Sequence, residues 1–232
     1  MANSKLIIDV IIPAFNEENA VGNVVNDIPK NLVRDIIVVN NNSTDKTATN
    51  ATNAGAIVLE EKNMGYGNAC LKGIAYLKNN TVPPNIVVFL DADYSDYPEE
   101  MTNLIQPILT QKMDMVIGSR ALGYKEKGAM TPQQVFGNWL ATFLLKLFYG
   151  VKYTDLGPFR AIKYESLIAL NMKDKTYGWT VEMQLKAAKQ KMATCEVAVN
   201  YRNRIGFSKV SGTVKGTIGA GYKIITTIFK YI

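Results

Sequence analysis

The chain has 232 residues, 47% of them hydrophobic, enough for one sizeable core, and its net charge of +6 suits anionic partners as well as plain solubility. Histidine is absent, which excludes Ser-His and Cys-His nucleophiles and imidazole metal ligands, so acid–base or metal chemistry must rest on carboxylates, hydroxyls, lysines or arginines. Cys70 and Cys195 have no metal-like spacing and read as reduced thiols of a cytoplasmic protein; no signal peptide precedes Asp9 and Pro13, and no run of about 20 apolar residues is present to span a bilayer.

Leu6 to Ile12 reads as a buried strand closed by Pro13, followed by a helix that Asn16 caps and that runs from Glu17 to Ile28. Asp35 to Val39 is a second strand. Asn40 to Asp45 is a polar turn from which Thr44 or Asp45 opens a helix to Ala54. Ala56 to Leu59 is a short third strand, Gly65 to Lys78 a helix, Asn85 to Leu90 a fourth strand, Pro98 to Gln111 a helix and Met115 to Gly118 a fifth strand. This alternation predicts an α/β fold with a mainly parallel sheet covered by helices on both faces. Ligands in such sheets sit at the carboxyl ends of the strands, where residues 13–18, 40–45 and 91–96 fall. In the second half, Val135 to Tyr149 carries aromatic and aliphatic residues at helical spacing, 166–171 and 180–191 read as helices, Thr194 to Tyr201 as a strand, and Val214 to Ile232 as a last helix. On a wheel of about 100° per residue, Val214, Ile218, Tyr222, Ile225 and Phe229 of that last helix share an arc flanked by Lys215, Lys223 and Lys230. The stripe suits core packing, a dimer interface or the surface of an anionic membrane.

The Asp91-Ala92-Asp93 sequence follows an apolar strand. Two carboxylates turned toward one cation, together with phosphate oxygens, suit Mg²⁺ or Mn²⁺. The alternative is an acidic strand-end turn.

Six segments, in this order, carry a more specific likeness: Pro13-Ala-Phe-Asn-Glu17, Val39-Asn-Asn-Asn-Ser-Thr-Asp45-Lys-Thr47, Asn63-Met-Gly65-Tyr-Gly67, Asp91-Ala-Asp93, Gly118-Ser-Arg120 and Tyr201-Arg-Asn-Arg204-Ile-Gly206-Phe-Ser-Lys209. The chain resembles family 2 inverting glycosyltransferases with the GT-A fold, and among them the dolichyl- and polyprenyl-phosphate sugar synthases. The resemblance implies a GT-A domain over residues 1–210, with a nucleotide-binding half to about 120 and an acceptor half beyond it, followed by an amphipathic helix over 211–232. It implies that Pro13, Phe15, Glu17, Val39, Asn41, Gly65, Asp91 and Ala92 line a UDP- or GDP-sugar pocket. Asp91, Asp93 and Ser95 would serve the metal, and Arg120, Arg204 and Lys209, with Arg202 as a substitute, would face the diphosphate. Asn40 and Asn41 stand where the family commonly has aspartates; Asn41 keeps an acceptor oxygen for the base or ribose, or belongs to a structural turn.

The implied reaction is metal-dependent, inverting transfer of a sugar to a lipid phosphate at the cytoplasmic membrane face, with no nucleic-acid partner. Asp93, Asp155 and Glu182 are the candidate catalytic carboxylates; Asp155 and Glu182 either act on the acceptor side or are spent on a cap or an ion pair. A glycan, glycolipid or other alcohol as acceptor, and a non-catalytic nucleotide-sugar-binding protein, are the rival expectations.

Overall fold

The computed structural model describes residues 6–208 and 214–231; Lys209 lies outside them, as do the side chains of Val214, Lys215 and Ile218. Among the described residues, seven strands form one sheet in the order β3-β2-β1-β4-β6-β5-β7. They are β1 (Ile8–Ala14), β2 (Asp35–Asn40), β3 (Ile57–Glu60), β4 (Ile86–Phe89), β5 (Met115–Ser119), β6 (Arg160–Lys163) and β7 (Thr194–Ala198). All neighbours pair in parallel except β6, which is antiparallel to both β4 and β5. The helices are α1 (Val21–Asp27), α2 (Thr47–Asn53), α3 (Tyr66–Lys78), α4 (Met101–Thr110), α5 (Pro132–Tyr149), α6 (Tyr164–Leu170), α7 (Trp179–Lys189) and α8 (Val214–Lys230).

Strand side chains alternate between two apolar layers, as a sheet covered on both faces requires. Ile11, Ile37, Phe89 and Ile117 join α3, α5 and α7 on one face, while Val10, Val38, Val88 and Val116 join α1 and α4 on the other. The mixed α/β architecture is the expected one. Two details of the chain-order reading change. β1 continues through Pro13 to Ala14, because β4 stops pairing with β1 at Ile11 and the proline meets a strand on one side only. Asn16 does not cap α1: it sits at φ 53, its Oδ1 accepts from the Thr44 N–H at 2.8 Å, and α1 begins four residues after Glu17. The strand β6 was not foreseen. It brings the second half of the chain into the middle of the sheet and places the preceding loop, with Asp155, behind the ends of β4 and β5.

α5 has the best-marked limits. Thr131 and Gln134 form a reciprocal capping box, Pro132 takes the first turn, and Gly150 ends the helix at φ 69. α8 packs against α5 and α7, with Tyr149 Oη donating to the Ile228 carbonyl at 3.0 Å. Among the described residues, no helix is long and apolar enough to cross a membrane.

Candidate active site

The carboxyl ends of β1, β2 and β4 open onto a cleft of about 340 Å³. Pro13, Phe15 and Glu17 come from the end of β1, Asn41 from the end of β2, Gly65 from the loop before α3, Asp91, Ala92 and Asp93 from the end of β4, and Arg204 from the loop after β7. Nine residues singled out in the sequence therefore meet in one cavity. Met64, Tyr66, Thr176, Tyr177 and Ser208 also line it and were not assigned there. Tyr66 stands inside the quoted Gly65–Gly67 segment, but no spacing rule directs its hydroxyl to the Asp91 carboxylate, which follows only after α3 and β4.

Asp91 has an Oδ1 that is buried and accepts no hydrogen bond from the described residues, and the Tyr66 hydroxyl bonds to the same carboxylate. Burial, then the charge of Asp93, pushes the Asp91 carboxyl up to about 7 against the pull of Tyr66, Arg204 and Arg120. Asp93 is held from two sides: Ser95 N–H and Oγ–H donate to its Oδ1 at 3.0 and 2.5 Å, and Arg204 Nη1 lies 3.0 Å from its Oδ2. The Ser95 hydroxyl is thus spent on orienting Asp93. Arg204 Nη2 also reaches Glu17 Oε1 at 2.5 Å, so one guanidinium bridges the acids of β1 and β4. Behind the pair lies Asp96, raised well above the usual carboxylate range by burial and by the charges of Asp91 and Asp93.

The loop after β7 is pinned under the β4 end by Arg202 N–H to the Ser95 carbonyl and Ile205 N–H to the Asp93 carbonyl, both at 3.0 Å. Arg202 is clamped between the rings of Tyr94 and Tyr97, 3.4 and 4.2 Å from their centroids, and donates to the carbonyls of Tyr94 and Asp96. Arg204 is therefore the arginine of this loop that enters the cleft. Asn41 lines the cleft, yet its amide donates to the carbonyls of Glu61 and Asn63 and accepts from Gly65 N–H, at 3.0, 2.7 and 2.7 Å, so it shapes the loop before α3. That loop is glycine-rich for a steric reason. A Cβ on Gly65 would come 2.2 Å from the Lys175 carbonyl oxygen, and one on Gly67 2.1 Å from that of Asp174.

Four expected residues stand elsewhere. The Val39 side chain is part of the core. Arg120 grips Asp155 in a bidentate pair, Nε to Oδ2 at 2.8 Å and Nη2 to Oδ1 at 2.7 Å, and lies over the Tyr201 ring; it does not line the cleft. Asp155, 1% exposed, also accepts the Arg120 backbone N–H. Glu182, fully buried in α7, accepts from the Lys173 and Asp174 backbone N–H groups and from Tyr231 Oη, and pairs with Lys186 at 2.7 Å. Buried carboxylates persist only when paired, and these two have found their partners inside the protein.

Among the described residues no three histidine, cysteine or acidic side chains converge on a cation. Asp91 and Asp93 nevertheless fit a hard divalent ion. They offer oxygens only, one of them orphaned and buried, and Mg²⁺-type sites commonly use one or two carboxylates completed by water and substrate phosphates.

The comparisons with known proteins agree with this geometry. Residues 9–170 match the model of glycosyl transferase family 2. An uncharacterised glycosyltransferase of Mycobacterium tuberculosis is 32% identical over 213 residues, covering 91% of this chain and 93% of the relative. The UDP-N-acetylglucosamine–dolichyl-phosphate N-acetylglucosaminyltransferase of Methanococcus voltae is 29% identical, covering 83% of this chain and 84% of its own. The undecaprenyl-phosphate mannosyltransferase of Micrococcus luteus is 27% identical, covering 89% and 88%. The crystal structure of glucosyl-3-phosphoglycerate synthase from Mycobacterium tuberculosis with Mn²⁺, UDP-glucose and phosphoglyceric acid superposes with a TM-score of 0.76 at 22% identity, over 98% of this chain and 80% of that one, a likeness of fold. With the family model matched over most of the chain and its acidic pair at the end of β4, the chain belongs to glycosyl transferase family 2 and is a GT-A-fold glycosyltransferase.

Proposed function

We propose that the enzyme moves a sugar, with inversion, from a UDP- or GDP-sugar to a polyprenyl or dolichyl phosphate. The observation that carries the reading is the buried Asp91 Oδ1 beside Asp93 on the wall of a nucleotide-sized cleft, facing a bridging arginine. Asp91 and Asp93 would hold Mg²⁺ or Mn²⁺, which when bound supplies positive charge to the departing diphosphate. Ser95 keeps Asp93 in its rotamer for that task. Pro13, Phe15, Glu17, Ala92 and the loop shaped by Asn41 and Gly65 enclose the nucleoside. Arg204 exchanges its two carboxylates for phosphate oxygens, a trade its planar fork favours. A phosphate acceptor is already an anion and needs no base, which accords with Asp155 and Glu182 both being held in internal ion pairs. Two relatives named for polyprenyl-type phosphate acceptors support that choice of acceptor.

The α5–α8 surface supports docking at the cytoplasmic membrane face. Phe136, Trp139 and Phe143 form an exposed stack with ring centroids 5.8 Å apart at each step, and Phe148 and Phe229 form a separate exposed pair at 5.5 Å across the two helices. Neither helix contains an acidic residue, while Lys146, Lys223 and Lys230 belong to them. Apolar rings with lysines and no acids fit an anionic lipid surface.

The test is release of UDP or GDP from a panel of nucleotide sugars, with and without Mn²⁺, offered farnesyl phosphate, farnesol or oligosaccharides. Metal-dependent release confined to the phosphate acceptor is the expected result. Release that ignores the metal, or that answers only to oligosaccharides, sinks the reading.

A further inference from the structure

A second cleft, of about 450 Å³, opens between the loop over residues 171–178 and the inner side of α8. Lys173 and Lys175 stand on the loop wall, Lys223 and Lys230 on the helix wall, with the hydroxyls of Thr226 and Thr227 between them. Its two acids, Asp174 and Glu182, are already spent. Asp174 accepts from the Thr176 and Gly178 backbone N–H groups at 2.7 and 3.1 Å and pairs with Lys223 at 3.0 Å. Glu182 is neutralised by Lys186 and accepts a hydrogen bond from Tyr231 Oη at 2.6 Å. Among the described residues Lys173, Lys175 and Lys230 have no carboxylate partner, so the cleft carries an uncompensated positive charge. The loop wall is also stiff: Glu182 and Asp174 hold its backbone, and the Lys175 carbonyl accepts Asn68 N–H at 3.0 Å. Thr176 lines both this cleft and the Asp91–Asp93 cleft, which makes the two neighbours across a single residue.

We propose that this lysine cleft between the 171–178 loop and α8 is a phosphate-binding subsite that holds the phosphate group of a phosphorylated acceptor next to the donor cleft. Lysine ammonium groups bind phosphate as point charges, threonine hydroxyls add donors, and a preformed backbone wall spares the cost of ordering the site. The anion site rests on the cleft alone; the word acceptor rests on the sugar-transfer reading above.

The test is calorimetric titration of the full chain with inorganic phosphate, glycerol 3-phosphate and farnesyl phosphate in neutral-detergent micelles, each with and without UDP and Mn²⁺. Wild type is compared with the Lys173→Ala/Lys230→Ala double variant and with Lys175→Gln, and circular dichroism confirms that each folds; the three side chains are exposed and leave the core untouched. A phosphate probe that binds wild type, is not displaced by UDP, and binds the double variant about tenfold or more weakly supports the subsite. Farnesyl phosphate alone behaving so assigns a lipid source; glycerol 3-phosphate behaving so assigns a soluble one. Equal affinity in wild type and both variants, displacement by UDP, or binding by none of the probes overturns it. Lysine-dependent binding without sugar transfer to any phosphate acceptor sinks the sugar-transfer reading and leaves the anion site standing. Transfer to farnesyl phosphate with a KM indifferent to the lysines does the reverse.

Discussion

The residue on which the proposed metal site most depends is also one the fold holds at a cost. Asp91 sits with a buried orphan oxygen beside a second carboxylate, and its carboxyl titrates near neutrality for that reason. Asp91→Asn should therefore leave the melting temperature of the ligand-free protein equal or higher, while abolishing any stabilisation by UDP that depends on Mn²⁺; differential scanning fluorimetry with and without both ligands reads the two effects together. A large loss of ligand-free stability would mean that Asp91 is a structural acid. The D-x-D was legible in the sequence because strand, acid spacing and loop position all coincide there. The pairing of Arg120 with Asp155 was not, since thirty-five residues and an entire helix separate them and only the insertion of β6 closes the distance.

At the scale of elements, α7 and the 171–178 loop act as one unit through Glu182. Burial alone would raise this carboxyl, but hydrogen bonds from Lys186, Tyr231 and two backbone N–H groups hold it below 4.5. Its folded value is thus depressed, so its contribution to stability is present above about pH 4.5 and fades as the pH falls through the lower folded value. Urea denaturation across the acid range should show this slope in wild type and a flatter one in Glu182→Gln, which should also be less stable near neutrality by about 3 kcal/mol because it breaks a buried pair. The start of α3 is locked from the other side. Gly67→Ala drives a Cβ into the Asp174 carbonyl and should cost about 2 kcal/mol, seen as an earlier urea midpoint, and weaken UDP binding by moving Gly65 and Tyr66. Gly65 and Gly67 were conspicuous in the sequence, but their partner was not: the nearest obstacle is the backbone a hundred residues on, not a ligand.

For the whole molecule, the polar rim and the aromatic α5–α8 surface belong to one body, and the lysine cleft lies against α8 between them. The exposed stack is the largest apolar feature of α5, with Phe136 at 61% and Trp139 at 57% exposure. A Trp139→Ser/Phe143→Ser variant should keep its UDP affinity and thermal stability, because neither ring belongs to the core, and should lose most of its co-sedimentation with phosphatidylglycerol vesicles. If instead the variant changes from dimer to monomer by light scattering and vesicle binding is nil for both proteins, the surface is a protein interface.

The sequence by itself determined the alternating strands and helices, the sheet rim on which three polar loops meet, and the residues Pro13, Glu17, Asp91, Asp93 and Arg204 that share its cleft. The alternation and the rim, with Pro13, Glu17, Asp91 and Asp93 on it, follow from local periodicity, from turn chemistry and from the rule that parallel strands present their carboxyl ends on one side, whereas Arg204 was implied there by the resemblance to family 2 glycosyltransferases. Only the tertiary structure decided which charges remain free for a ligand. Arg120, Arg202, Asp155 and Glu182 read in the sequence as candidate site residues, yet each is consumed by a partner contributed from another part of the chain, for Glu182 the Tyr231 hydroxyl and the backbone of Lys173 and Asp174. β6 is not legible in the sequence because four residues with arginine and lysine at its ends show no strand periodicity, and its place in the sheet is set by the two strands it joins. A buried charge takes its meaning from what lies within hydrogen-bond reach, and that distance is a property of the packed chain.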